Sequence, residues 1–579
     1  MKTGYKAVIV LSVFAILANL LAFLIVVNAS VVGTAGASAG KQVSSGPRDA
    51  VEVTPIPPGP TTSLPDYAGA PVDAQPLADS GVPQNPLLAP NGFNSCHLDP
   101  WMSDTADLAG PLGFEPAVLS SKLAQARPVP IDSTDGPPWI FLCITPMFDS
   151  HGRLLTACFA PHEATAVLAD PDTLEVLSYY HLDVPSGNVY GTTGRQAVMR
   201  SIGSSYSYLD AQDRLTIVSG GKKIVTLEEA GTAENPVLQL QHTYDLTTLT
   251  PEDYNDLAGV MVDWQGRIWF ITAASTNTVA KVGLINPATW SEAAPNPKWF
   301  ALPAGELIRN TFAVTKSGED RSSAYVVSSQ KMYRIDAGAD DQPYVVWSAP
   351  YDTIGETKNG QYELGSGTSP TVLGEGGYVA ITDNADPMKV VVYRTGEGVD
   401  PAHRVVCQVP VFLDQPGQAL SNSLIGFHLS LIASNNYNYL WDWQNGKTVY
   451  ASASGFARID IDPDGQGCTT VWTNSEVATT TSPRLSTRTG LIYTVSREYD
   501  ANAVNEDGTK GVYGYYWTAL DFRTGQQVWK KMAGTGDEFD SFYPALAMGP
   551  NKALYVGAYG GFMTMRDTPR IWLPVVMRP

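Results

Sequence analysis

"MVDWQGRIWFIT", residues 261–272, has the outline of a β-hairpin. Two apolar runs flank Asp263-Trp264-Gln265-Gly266, and a short polar stretch ending in glycine is what a tight turn needs. The outline returns along the chain. It appears as "MFDSHGRLLTACF" around Asp149, "YLDAQDRLTIV" around Asp210, "VTKSGEDRSSAYVV" around Ser317 and "VLGEGGYVAI" around Gly374. A degenerate copy, "LSLIASNNYNYLW", starts at Leu429; "RLSTRTGLIYTV" lies around Thr487 and "LAMGPNKALYVGAY" around Gly549. Successive copies are spaced from 53 residues (Asp210 to Asp263) to 62 (Thr487 to Gly549). A second hairpin signal follows in several units: "VLADPDTLEVLSYY", "LINPATWSEAA", "YRIDAGADDQPYVVW", "ARIDIDPDGQGCTTVW" and "ALDFRTGQQVWKK". Four strands in about fifty residues, repeated, is the pattern of a β-propeller blade. Eight units are counted, so the expected fold is an all-β propeller of eight four-stranded blades over residues 111–567, with seven blades as the alternative count. The eighth unit lacks an outer strand, and "SKLAQARPVPI" (121–131) is placed to supply it and close the ring.

The chain has 579 residues, 57 carboxylates against 37 lysines and arginines, and a net charge of −20. That balance excludes a nucleic-acid surface and adsorption to anionic lipid, both of which need a basic face. Lys2 and Lys6 precede the uncharged run Ala7–Val27, and Ala37-Ser38-Ala39 suits signal-peptidase cleavage. Residues 1–39 therefore read as a signal peptide or an N-terminal membrane anchor, which puts the body outside the cytoplasm, secreted or anchored. Eleven prolines fall between Pro47 and Pro90, so residues 40–110 are expected to be an extended, mobile stalk. Residues 568–579 form a C-terminal tail. Five cysteines suit an exported chain. Cys407 and Cys468 are candidate partners, as are Cys143 and Cys158, with Cys96 left over; buried thiols are the alternative.

The run Ala519-Leu520-Asp521 through Thr524-Gly525 to Trp529 resembles the blade repeat of quinoprotein-like propellers. Residues 365–567 more broadly resemble a group of exported bacterial propeller proteins, through "GTSPTVLGEGGYVAITDNADP", "NSLIG", "ASNNYNY", "DGQGC" and "SPRLSTRTGLIY". The resemblance implies fold and export and carries no assigned chemistry. Quinoprotein dehydrogenases are associated with adjacent cysteines, which this chain lacks, so no PQQ is expected. The tail "IWLPVVMRP" resembles a C-terminal signature of some secreted bacterial proteins, and reads equally as a closing strand.

The sequence contains no HExxH zinc helix, no Walker loop, no Rossmann fingerprint after a strand, and no GxSxG elbow in a strand-to-helix setting. What it offers is oxygen. Asp383, Asn384 and Asp386 stand within "TDNADP", Asn422 enters the sixth unit, and Asn435 lies in its degenerate hairpin. Carboxylate and amide oxygens suit Ca2+. Calcium-dependent lactonase and esterase propellers resemble this in residue type. The same residues also make ordinary Asx turns. Thr368-Ser369-Pro370 and Thr481-Ser482-Pro483 open equivalent inner strands, as blade geometry or as a hydroxyl-lined mouth. His428 and Arg309 lie near comparable strand starts, and His428 is the candidate acid or base. Two functions follow as expectations. One is a binding or scaffold module for a protein, glycan or small ligand; the other is a calcium-dependent lactonase- or esterase-like hydrolase working in the channel.

Overall fold

The computed structural model describes residues 53–56, 59–123, 142–160, 163–183, 205–250, 256–274, 278–361, 364–421, 423–439, 441–442, 447–448, 452–505, 508–541, 543–558 and 561–568. The run Ala7–Val27 and the tail from 569 lie outside them, as does Asn422. Val51–Pro579 forms one compact unit. Its fold is an eight-bladed propeller of four-stranded antiparallel sheets.

Blade 3 shows how the opening stretch builds a blade. Leu257–Val262 pairs antiparallel with Ile268–Thr272, which pairs with Lys281–Ile285 and then with Lys298–Ala301. The two inner strands are buried at every residue, because each lies between the blades on either side. Their near-continuous apolar sequence follows from that double burial. Outermost strands have one wet face and alternate, as in Lys298–Ala301. Apolar clusters fill the wedges between neighbours. Ile425, Phe427 and Phe456 of blade 6 meet Leu485, Ile492 and Leu520 of blade 7.

The repeated inner turn is held by an ion pair written into the sequence. Asp263 Oδ1 accepts the N–H groups of Gln265 and Arg267, and Oδ2 accepts Arg267 Nε at 2.8 Å. Asp149 with Arg153 and Asp210 with Arg214 repeat the arrangement. The quinoprotein-like corner of blade 7 is likewise structural. Asp521 Oδ1 accepts Arg523 N–H, Thr524 N–H and Thr524 Oγ1–H. Gly525 has φ +71°, and a Cβ there would stand 2.3 Å from the Trp472 ring.

The ring closes on blade 8, where Pro116–Leu123 pairs antiparallel with Gly561–Asp567. The closing strand thus starts five residues before the expected 121–131, of which 124–131 lie outside the described residues. Val53–Pro55 adds a further strand to blade 8, and Tyr67–Gly69 one to blade 7, covering both open edges. The expectation of a stalk up to residue 110 fails. Residues 85–106 enter the channel, and most are buried. Prolines bar a segment from its own ladder but leave its carbonyls free to accept hydrogen bonds, and here they accept from the blades. Cys143–Cys158 and Cys407–Cys468 are disulfides, and Cys96 is a buried thiol. Two disulfides fit an oxidising compartment. Among the described residues no helix is long and apolar enough to cross a membrane.

Candidate functional site

The ring has two ends. One carries the inner turns; at the other, the chain runs into each innermost strand. Between them the channel is filled by residues 85–106. Leu209 N–H donates to Asn94 O (2.8 Å), Val314 N–H to Pro100 O (2.7 Å) and Val372 N–H to Trp101 O (3.0 Å). Gly426 N–H donates to Ser103 O (2.8 Å), Leu485 N–H to Asp104 O (3.0 Å) and Phe148 N–H to Phe93 O (3.3 Å). Asn85 Nδ2 adds a bond to Val262 O at 3.1 Å. Seven of the eight innermost strands are engaged in this way. An inner strand has one ladder edge facing the axis, and the plug satisfies donors that would otherwise need water.

The plug carries a polar cluster that no sequence motif marked. Asp104 is fully buried, with Arg484 Nη1 2.7 Å and His97 Nδ1 2.8 Å from its Oδ1. Ser423 Oγ–H donates to its Oδ2. Arg484 also donates to Cys96 O (2.6 Å) and Pro483 O (3.1 Å), and its Nε has no partner. The half-buried Tyr206 ring stacks on His97 at 6.4 Å. Serine and histidine both address the carboxylate here, so the imidazole does not stand between hydroxyl and acid as general-base activation requires. The arrangement anchors the plug by charge. Burial pushes the Cys96 thiol up to about 11, which keeps it from acting as a thiolate. Asp99 is pushed up to about 7 by burial, against hydrogen bonds from Ser103 Oγ–H and Trp101 N–H. Only Asp104's own run, "HLDPWMSD", offered a sequence signal, and without the tertiary pairing it reads as part of a linker.

The predicted oxygen ligands lie at the inlet end of blades 5 and 6. Asp383 follows Tyr378–Thr382 and is 2% exposed; its Oδ1 accepts Lys389 N–H (2.8 Å) and Ala385 N–H (3.2 Å). Its Oδ2 has no hydrogen bond, but Lys389 Nζ stands 3.9 Å away and the buried Lys358 acts on it electrostatically. Burial pushes Asp383 up to about 6. Asn384 Nδ2 donates to Glu356 O (2.8 Å), leaving its buried Oδ1 unpartnered. Asp386 is exposed and accepts Gly417 N–H. Asn435 makes an Asx turn, accepting Leu420 and Tyr437 N–H and donating to Gln418 O. The four described residues are each engaged by different groups; Lys389 Nζ bonds Asp352 and Lys358 Nζ bonds the Ala385 and Ala419 carbonyls, and both act on Asp383 at longer range. Among the described residues no cluster of three His, Cys, Asp or Glu side chains suits a metal.

His428 is elsewhere. It lies in the turn joining Leu424–Phe427 to Ser430–Ser434, and its carbonyl accepts from Gly374 in the corresponding turn of blade 5. Its ring bonds Asp79 O at 3.0 Å on the exposed surface. The five-residue strand Tyr378–Thr382 separates that end from Asp383, about 16 Å at strand rise. The candidate base His428 and the candidate ligand Asp383 therefore stand at opposite ends of their blades. Arg309 is at the inlet end and donates to Ala274 O (2.9 Å). Thr368 and Thr481 are buried struts: Thr481 Oγ1 bonds Pro544 O in blade 8's inlet segment, and Thr368 Oγ1 accepts Thr382 N–H.

No protein-family model matches the chain. An uncharacterized protein of Archaeoglobus fulgidus is 24% identical over 335 residues, 53% of this chain; the match spans 60% of that relative's length. Similar solved structures include the quinohemoprotein alcohol dehydrogenase ADHIIG of Pseudomonas putida HK5 (TM-score 0.47, 9% identity, 84% of this chain and 82% of that one). The Dos1 propeller gives 0.43 at 8% identity, over 80% and 96% of the two chains. A periplasmic gluconolactonase of Pseudomonas aeruginosa gives 0.37 at 12% identity, over 66% and 96%.

Proposed function

We propose that this protein is an extracytoplasmic binding module: a rigid ring that holds a protein, glycan or small ligand on its outer surfaces. One observation carries the reading. The channel, where a propeller hydrolase would place ion and substrate, is occupied by the chain's own residues 85–106, bonded to seven blades. Two further features support it. The ammonium groups of Lys389, 3.9 Å away, and of Lys358 already act electrostatically on Asp383, so a divalent cation there would meet like charge. His428 stands at the far end from the proposed ligands. The disulfides and the resemblance to exported bacterial propellers support the compartment. No quinone enters this reading.

The test uses the purified whole chain with a panel of lactones and carboxylic esters, with calcium and with chelator. The expected result is no turnover above the uncatalysed rate in either condition. Calcium-dependent hydrolysis that Asp383→Ala abolishes would replace this function with the lactonase- or esterase-like one.

A further inference from the structure

We propose that an open cleft on the rim between blades 2 and 3 binds a neutral oligosaccharide, with the Trp299 indole as its stacking floor. The proposal rests on the binding-module reading and gives it a place and a ligand class.

The cleft measures about 410 Å³ and is open to solvent. Trp299 comes from the outermost strand of blade 3, Lys298–Ala301. It is 39% exposed, while Trp269, Trp517 and Trp529 are completely buried. An indole left open beside a cleft offers a ligand a large, stiff contact face. The strand that carries the ring is anchored: Gln342 Nε2 of blade 4 donates to the Trp299 carbonyl at 2.9 Å. Lys281 Nζ lies 5.3 Å from the ring centroid while donating to Leu249 O at 2.6 Å. A floor fixed in advance loses little entropy on binding.

The surrounding groups select the ligand class. Pro295 and Pro297 make stiff walls. Thr248 and Asn296 are exposed and offer a hydroxyl and an amide, each able to donate and accept. A pyranose ring suits this set. Its axial C–H groups present weak positive charge to the indole face, and its hydroxyls meet the amide and hydroxyl at the edge. The net charge of −20 repels acidic glycans at long range, which favours a neutral one.

The experiment presents immobilised tetrasaccharides of β-1,4-glucose, α-1,4-glucose, β-1,4-xylose and β-1,4-N-acetylglucosamine, with an oligogalacturonate as the acidic arm, to the whole chain. At least one neutral oligomer is expected to bind. Trp299→Ala should weaken it by at least about tenfold and Asn296→Ala by about threefold, since one aromatic anchor dominates such a contact. Trp299→Phe should retain part of the affinity, and all three variants should melt with the wild type. No binding to any neutral oligomer overturns the cleft assignment. So does neutral binding that Trp299→Ala leaves intact, although that result keeps the binding-module reading. Preference for the oligogalacturonate overturns the ligand class. Lactone or ester turnover would instead remove the underlying reading.

Discussion

At the scale of single residues, Asp99 makes stability depend on pH. Burial in the plug raises its folded pKa to about 7 from an ordinary 3.8, with Asp104 adding repulsion and Ser103 and Trp101 opposing. The folded chain therefore holds more protons than the unfolded one between about pH 4 and 7. Asp99's contribution is full below the unfolded value, declines as pH rises through that window, and levels off above it. Asp383, raised to about 6, acts in the same sense over a narrower range. Asp99→Asn is expected to flatten the melting temperature between pH 5 and 7.5 relative to wild type; an unchanged slope would contradict the assignment. Asp383→Ala strips the partner from one buried and one partly buried backbone N–H group and should cost about 1–3 kcal/mol. The loss should be equal in calcium and in chelator, because stabilisation by a bound ion would appear only with the ion present. A calcium-dependent gap would return this loop to metal binding.

At the scale of elements, the most consequential link is between blades. Cys407 lies in Val405–Pro410, the outermost strand of blade 5, and Cys468 begins Cys468–Asn474, the outermost strand of blade 6. The bond joins the two blades at the rim, far from the plug that joins them at the axis. The cysteines are 61 residues apart, so the closed loop is long. Replacing both with serine should cost about 2–4 kcal/mol on the loop-entropy argument, measured as a lower denaturant midpoint. Cys143–Cys158 spans 15 residues inside one blade, and its loss should be the smaller of the two.

At the scale of the whole molecule, the plug decides whether the ring is stable. A chain starting at residue 111 keeps all four strands of all eight blades, including Pro116–Leu123. It lacks the carbonyls of Phe93, Asn94, Pro100, Trp101, Ser103 and Asp104, and it leaves Arg484 buried without its carboxylate. An unpaired buried charge is strongly destabilising, by about 3–5 kcal/mol for one broken pair. The truncated chain is therefore expected to lose a single cooperative melting transition, followed by near-UV circular dichroism. A synthetic peptide of residues 84–107 should restore it. Wild-type melting by the truncated chain would reduce the plug to decoration.

The sequence by itself determined the blades. A hairpin outline returning every 53 to 62 residues can bury its inner strands only by stacking copies, and the Asp263–Arg267 type of turn is complete within five residues. The cysteine pairs were only candidates in the sequence, with buried thiols as the alternative; the fold decided, by bringing Cys143 beside Cys158 within one sheet and Cys407 beside Cys468 across two blades. The plug and its cluster were not legible. Proline-rich composition reports that a segment cannot satisfy its own backbone, and is silent on whether water or a distant strand edge does so. His97, Asp104, Ser423 and Arg484 are separated by up to 387 residues, from His97 to Arg484, and no local pattern records such a meeting. The placement of His428 and Asp383 at opposite ends follows from strand direction, which alternates at every turn. Residue type proposes a ligand set, and only closure of the ring decides which of its members share an end.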